Sequence, residues 1–169
     1  FGFTPRDLDA FVTQFKARGT RVIIDMEKKG LEIAEKHGVF AIKPNYNEFC
    51  EYIGIEPDSL NEIAAAAMKK AESISNVIVS LGEEGAVFAT RTEAYHAVAK
   101  DVNCLSTTGA GDALLSGFIY GVFSGKSYKD SVKWAVATAS AKVGEEGTRP
   151  PEFENIEKFL NNVTVTQIR

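Results

Sequence analysis

The sequence predicts an α/β fold in which a mostly parallel sheet is covered by helices on both faces. Short apolar runs alternate with segments whose apolar residues recur at helical spacing, which is the pattern of βαβ units. The 169 residues are 44% hydrophobic and 25% charged, as in a globular protein with a sizeable core. There is no internal repeat and no Pro/Gly-rich linker, so we expect a single domain over residues 1–169.

Boundary residues identify the helices in the first half of the chain. Thr4 and Pro5 followed by Asp7 are typical of a helix start, and Gly19 ends the apolar pattern that follows. Asp58 can cap a later, Ala-rich helix. The predicted elements, in chain order, are a helix at 5–18, a strand at 21–25, a helix at 28–37, a strand at 39–42, a helix at 45–53 that Gly54 closes, and a helix at 58–74.

The second half begins with a strand and a glycine-containing turn. Two β-rich segments then predict a hairpin or meander, and two long helical patterns follow. The predicted elements are a strand at 76–81, a turn at 82–85, strands at 86–90 and 94–98, helices at 110–124, 127–144 and 152–161, and a β-branched tail at 163–166. In parallel sheets of this kind, ligands bind at the carboxyl ends of the strands.

Charge and cysteine content argue against several classes of function. The net charge of −4 argues against a nucleic-acid binder, which would usually carry a basic surface. Cys50 and Cys104 lie far apart and only two histidines could join them, which argues against a disulfide framework or a zinc site. No apolar run is long enough to span a bilayer. We therefore expect a protein of a reduced, cytoplasmic compartment, with no nucleic-acid or membrane partner.

Gly109, Ala110, Gly111 and Asp112 immediately precede a helical pattern. The first amides of a helix lack internal partners and carry partial positive charge, and glycines let a ligand approach them closely. An anion such as a transferring phosphoryl group could bind there, with Asp112 beside it as a general base. In the alternative interpretation, Thr107 or Thr108 caps the helix and Asp112 only complements its dipole.

Two further segments follow predicted strands. Asn45 and Glu48 could hold Mg²⁺ through water molecules, although a capping box would explain the same pair of residues. The segment from Ser80 to Gly85 could let nucleotide phosphates approach the backbone. Its alternative is an ordinary turn with glycines at positive φ.

In chain order, "IKPNYNE", "VIVSLGEEGA", "STTGAGDALLSGF" and "GTR" together resemble the phosphofructokinase-B (ribokinase-like) family of sugar kinases. Within that family, "SLGEEGA", "AYHA", "STTGAGD" and "GFIYG" are most similar to the hexose-phosphate kinases. The resemblance implies a three-layer ribokinase-like fold. It covers only the C-terminal, nucleotide-binding part of that fold, so we expect its first strands, its β lid and most sugar-binding residues to lie outside this chain.

The resemblance also implies a role for each motif. Asp112 matches the catalytic base, and Gly109, Ala110 and Gly111 match the anion hole for the γ-phosphoryl group. Asn45 and Glu48 match the pair that organises Mg²⁺ and the phosphates. The positions implied in ATP binding are Lys43, Asn45, Ser80, Gly82, Gly85 and Thr108. The positions where some members bind a monovalent cation such as K⁺ are Ser106, Thr108, Gly147 and Arg149, and Ser106 stands where many relatives have Asp or Asn.

The implied activity is ATP-dependent phosphoryl transfer to a hydroxyl of a phosphorylated sugar. Conversion of fructose 1-phosphate to fructose 1,6-bisphosphate is favoured, with tagatose 6-phosphate or fructose 6-phosphate as alternative substrates. The implied partners are ATP and the sugar phosphate, with a homodimer for the complete protein; this chain alone is expected to be inactive. Two other classes of function stay open: a nucleotide-binding module without catalysis, and an α/β interaction domain without a ligand.

Overall fold

A computed structural model of the chain describes residues 4–169. Over that range the chain forms seven α-helices, one 3₁₀ turn and six β-strands. Their bounds are α1 Pro5–Ala17, β1 Ile23–Ile24, α2 Lys28–His37, β2 Ala41–Ile42, α3 Tyr46–Ile53, α4 Leu60–Lys70, β3 Asn76–Ser80, the 3₁₀ turn Gly82–Glu84, β4 Ala86–Ala89, β5 Ala94–Ala99, α5 Ala110–Phe123, α6 Tyr128–Val143, α7 Phe153–Leu160 and β6 Val163–Gln167.

The chain divides into two compact units. The first contains the described part of Phe1–Leu81 together with Val87–Ala94 and Ile168–Arg169, and the second contains Gly82–Ala86 and Tyr95–Gln167. The expectation of a single domain over 1–169 stays a prediction.

The first unit is built on parallel strands. Strands β1, β2 and β3 are neighbours in that order, with Ile23 opposite Ala41 and Ile42 opposite Val77. Parallel neighbours need a crossover between them, and α2 supplies the one from β1 to β2. The side chains that form the centre of its core are fully buried; they include Leu31, Val39, Ile42, Phe49, Ile74, Val77 and Val79.

A polar network joins three helices of the first unit. Glu35 on α2 accepts a hydrogen bond from Tyr52 on α3 at 2.7 Å, and Lys70 on α4 lies 2.9 Å from the same carboxylate oxygen. Partial burial raises the pKa of Glu35, but the hydrogen bonds from Tyr52 and Lys70 and the charge of Lys70 lower it by more, so the net pKa is lowered. The network therefore holds a charged carboxylate between the three helices.

In the second unit, β5 and β6 pair antiparallel and α5 packs closely on α6. Tyr95 lies opposite Gln167, and Ala99 opposite Val163. A Cβ added at Gly117 would lie 2.5 Å from Thr138 Oγ1, which is closer than such atoms can approach. The two helices can lie this close because Gly117 has no side chain.

The predicted α/β fold class is confirmed, and most predicted helices have nearly the predicted bounds. Helix α2 runs from Lys28 to His37 as predicted, and Thr4 and Asp7 form a reciprocal capping box at α1. The helix predicted at 58–74 was wrong at both ends: Ser59, not Asp58, caps α4, and that helix ends at Lys70 rather than Ile74. None of the helices within residues 4–169 has the length and apolar character needed to cross a membrane.

Candidate functional site

Lys43 follows strand β2 in the first unit and is almost completely buried. Its side chain is only 8% exposed, and its Nζ lies 3.1 Å from Oδ2 of Asp25, which directly follows β1. The two strands are parallel neighbours, so their carboxyl ends bring these residues together. Sequence reasoning singled out Lys43 but not Asp25. The position of Asp25 directly after a buried strand could have indicated that it lies at the ligand-binding edge of the sheet.

Asn45 and Glu48 form a reciprocal capping box at the start of α3. The side-chain oxygen of Asn45 accepts from the Glu48 amide at 3.0 Å, and Glu48 Oε2 accepts from the Asn45 amide at 2.8 Å. The bridge between Asn45 and Ser80 brings the end of β3 beside this cap. Lys43, Asn45, Glu48 and Ser80 thus lie at neighbouring strand ends of one unit.

This capping box offers few oxygen atoms to a Mg²⁺ ion. Glu48 Oε1 makes no hydrogen bond with the described residues, and Asn45 is exposed. Within residues 4–169, no group of three or more His, Cys, Asp or Glu side chains could hold a metal ion. One carboxylate oxygen is compatible with Mg²⁺ that keeps several waters and is bound mainly by substrate phosphates.

Gly82 and Gly85, in the second unit, both have positive φ, at 66° and 83°. This confirms the predicted turn geometry. A Cβ at Gly85 would lie 2.0 Å from the carbonyl oxygen of Ala97, whereas nothing lies within 4 Å of one at Gly82. Packing against β5 therefore explains Gly85, while Gly82 leaves open space over its backbone. His96 on β5 also contacts this turn, with Nε2 2.7 Å from the Glu84 carbonyl oxygen.

Helix α5 begins without a side-chain cap. Gly109 is its N-cap residue, in the left-handed conformation with φ of 79°, and no side chain accepts a hydrogen bond from the first turn. The alternative in which Thr107 or Thr108 caps this helix is therefore wrong. Asp112 lies in the first turn and is exposed. The helix end thus has no side-chain cap, although the Ala110 amide donates to the Thr107 carbonyl at 3.1 Å, and a carboxylate lies beside this positive end.

A buried lysine lies behind this helix end. Lys142, in the last turn of α6, is 3% exposed, and its Nζ donates to the Gly147 carbonyl at 2.8 Å. Its Cε would lie 3.3 Å from a Cβ at Gly109. The amide of Ser106 donates to Val143, the next residue of α6, at 3.1 Å. The structure thus brings Gly109 and Gly147 to Lys142 and Ser106 to the adjacent Val143, and sequence reasoning did not single out Lys142.

The remaining predicted site residues, Thr108 and Arg149, are exposed. The Thr108 amide donates to the Ser106 hydroxyl at 3.3 Å, and the Arg149 amide donates to the Glu146 carbonyl at 3.4 Å. Both belong to loops of the second unit. Their predicted roles toward ATP and a cation stay predictions.

Comparison with known proteins identifies the family. The family described as pfkB family carbohydrate kinase matches residues 5–155. The chain belongs to the pfkB family. It is 31% identical to the 1-phosphofructokinase of Haemophilus influenzae over 169 residues, covering 99% of this chain and 54% of that protein. It is 33% identical to the 1-phosphofructokinase of Haloferax volcanii over 171 residues, with 99% and 54% covered.

Solved structures of pfkB-type kinases share the fold. Phosphofructokinase-2 from Escherichia coli, solved in complex with substrates and products, matches with a TM-score of 0.89 and 25% identity over 95% of this chain and 53% of that one. The same enzyme solved in complex with potassium matches with a TM-score of 0.87, 25% identity, and 95% and 53% coverage. The chain spans about half the length of the curated relatives it matches.

Proposed function

We propose that this chain is the nucleotide-binding half of an ATP-dependent phosphosugar kinase. The favoured reaction converts fructose 1-phosphate to fructose 1,6-bisphosphate, in keeping with the names of the relatives. The observation that carries the proposal is the start of α5. There, an uncapped helix N-terminus opened by Gly109 is followed by the exposed carboxylate of Asp112. A carboxylate beside a bound phosphate is electrostatically unfavourable, and a role as general base would explain its presence there.

In the proposed reaction, the chain binds the γ-phosphoryl group and removes a proton from the sugar. The amides of Gly109, Ala110 and Gly111 hold the phosphoryl oxygens as negative charge develops on them. The sugar hydroxyl oxygen forms a bond to the γ-phosphorus, the bond from that phosphorus to the β–γ bridging oxygen breaks, and ADP leaves. The hydroxyl proton passes to the carboxylate of Asp112.

The strand-end residues of the first unit are proposed to orient the nucleotide. Mg²⁺, when bound, neutralises charge on the phosphates, and Asn45 and Glu48 would hold its water ligands. The buried ammonium of Lys43 is kept in place by Asp25 and would contribute positive charge toward ATP. Further proposed contacts with ATP are those of Ser80, Gly82, Gly85 and Thr108.

The test is Asp112→Asn in the complete protein. Losing the base should lower the rate of phosphoryl transfer by about 10²- to 10⁴-fold, while ATP affinity stays nearly unchanged. Steady-state kinetics and isothermal titration with ATP measure the two quantities. Glu154→Gln is the matched control, because Glu154 is also an exposed acid in a first helical turn, that of α7. Equal losses of activity and ATP affinity would show that Asp112 is structural and refute its role as base.

The alternative functions make different predictions for the wild-type complete protein. Comparing kcat/KM for fructose 1-phosphate, tagatose 6-phosphate and fructose 6-phosphate ranks the candidate substrates. ATP binding without transfer to any of them would favour a nucleotide-binding module. Absence of any effect of Mg-ATP on thermal stability would favour an interaction domain.

A further inference from the structure

Lys142 is a buried cation next to a positive helix end. Its ammonium forms one hydrogen bond with the described residues, to the Gly147 carbonyl, although an ammonium group has three donors. It forms no ion pair with any carboxylate of residues 4–169. Burying a charged group is costly unless its surroundings compensate it, so this placement needs a reason.

The surroundings give that reason in part. Lys142 lies in the last turn of α6, where the helix carbonyls favour a positive charge. Its side chain then extends past Gly109, at the start of α5, where the first amides of the helix also carry positive charge. The repulsion between the Lys142 ammonium and the positive start of α5 is best compensated when an anion binds beside both. The arrangement therefore strengthens an anion site at the start of α5.

The same contact conflicts with the cation predicted at Ser106, Gly147 and Arg149. K⁺ is held in proteins by carbonyl oxygens that replace its hydration shell. The carbonyl of Gly147 already accepts from the Lys142 ammonium at 2.8 Å. A K⁺ ion at this carbonyl would sit against another positive charge, so the residues present do not fit a bound K⁺.

We propose that the ammonium of Lys142 takes the place of a bound monovalent cation at the start of α5. It links the Gly147 loop to the helix end and supplies a fixed positive charge behind the anion site. Lys142 is thus a positioning residue and does not touch the reacting atoms. The effect of Lys142 on phosphoryl transfer rests on the proposed function. The proposal that its ammonium occupies the place of a cation does not.

The first experiment measures thermal unfolding of the complete protein in equal concentrations of KCl and tetramethylammonium chloride, without ATP or sugar. The wild type should unfold at the same midpoint in both salts. Lys142→Ala should unfold at a lower midpoint in tetramethylammonium, and KCl should restore most of the loss because the ion fills the vacated space. Lys142→Met should lose stability equally in both salts, since its side chain fills that space without charge.

Lys129→Ala is the matched control, because Lys129 is an exposed lysine on the same helix. It should show the wild-type response in both salts. If Lys142→Ala does not fold, Lys142→Ser leaves the same room for an ion and takes its place. A wild-type midpoint that rises specifically in KCl, or an Ala or Ser variant that does not respond to K⁺, would overturn the proposal.

The second experiment follows phosphoryl transfer by the complete protein. The wild-type rate should be the same in K⁺ and tetramethylammonium, whereas Lys142→Ala should lose activity and regain most of it in K⁺ alone. A merely structural lysine would give a loss that K⁺ does not reverse. The unfolding experiment uses no substrate, so failure of the kinase proposal leaves its result valid and the two failures can be told apart.

Discussion

At the scale of single residues, Gly82 and Gly85 show that similar backbone angles can have different causes. Both glycines have positive φ within one short turn. A side chain at Gly82 would enter open space, whereas one at Gly85 would collide with the backbone of β5 at Ala97. Only Gly82 therefore leaves its backbone accessible, and only Gly85 is required by packing.

This difference predicts unequal costs of Gly82→Ala and Gly85→Ala. Gly82→Ala should lower the free energy of unfolding by about 1–2 kcal/mol, the cost of a left-handed non-glycine residue. Gly85→Ala adds a backbone clash to that strain and should cost about 3 kcal/mol or more. Urea unfolding of the two variants measures both values, with Gly82→Ala as the matched control. Equal costs would mean that β5 yields to the added methyl group.

The residues that sequence reasoning found make contacts with near neighbours in the chain, whereas those that it missed make tertiary contacts. Asn45 was found because a capping box depends on residues three apart, and that spacing is visible in the sequence. Lys142 was missed because a basic residue in a last helical turn normally faces solvent. Its burial exists only once α6 lies against the start of α5. Contacts made by tertiary packing leave no such local pattern.

At the scale of elements, α5 and α6 form the tightest helix pair described. Gly121 approaches Ser131 so closely that an added Cβ would lie 2.6 Å from its Cα, and Gly117 meets Thr138 in the same way. Both glycines lie on the helix that begins at Gly109, and Lys142 lies on its partner. The separation of the two helices therefore sets the position of Lys142 relative to the start of α5.

Gly117→Ala should destabilise the protein although alanine favours helix more than glycine does. On an exposed helix the exchange would stabilise by about 0.5–1 kcal/mol, but here overpacking costs about 1–3 kcal/mol. We expect a net loss of about 1–2 kcal/mol in the free energy of unfolding. Fluorescence of Trp134 on α6 reports the transition. Ser116→Ala, on the exposed side of α5, should stay within about 0.5 kcal/mol of the wild type; a stabilised Gly117→Ala would refute the packing argument.

Element boundaries were predictable where a single residue decides them. Gly54 ends α3 in the left-handed conformation, as predicted, and Gly38 ends α2 in the same way. The start of α4 was misassigned because Asp58 and Ser59 are adjacent and are comparable caps. The choice between them depends on how the chain enters the helix, which the local sequence leaves open.

At the scale of the whole molecule, the fold class was predictable but the division of the chain was not. Alternating strands and helices were enough to predict an α/β fold, and comparison with solved kinases agrees with it. The two compact units are interleaved in sequence, since each contains segments from both halves of the chain. Composition shifts and linkers detect units that follow one another, so they could not reveal this arrangement.

The last residues of the chain belong to the first unit, and this can be tested. Ile168 donates its amide to the Ala94 carbonyl at 2.8 Å and packs against the core of that unit. Ile168→Ala should weaken the first unit by about 1–2 kcal/mol, because part of an apolar side chain is lost from its core. Hydrogen exchange should then rise by about 10-fold or more in amides of β3 and β4.

Thr166→Ala is the control for this experiment, because Thr166 is exposed and lies on β6 in the second unit. It should leave exchange in β3 and β4 unchanged. Unchanged exchange in the Ile168→Ala variant would show that the side chain of Ile168 does not contribute to the stability of the first unit.

The pairing of Ala94 with Ile168 and Arg169 also has a consequence for biosynthesis. Translation proceeds from the N-terminus. The residues of the first unit up to Leu81 are therefore made long before Ile168 and Arg169, which belong to the same unit. Ala94 cannot form its hydrogen bonds with Ile168 and Arg169 until translation has passed both residues. The first unit therefore cannot complete these hydrogen bonds until the residues of the second unit have also been synthesised.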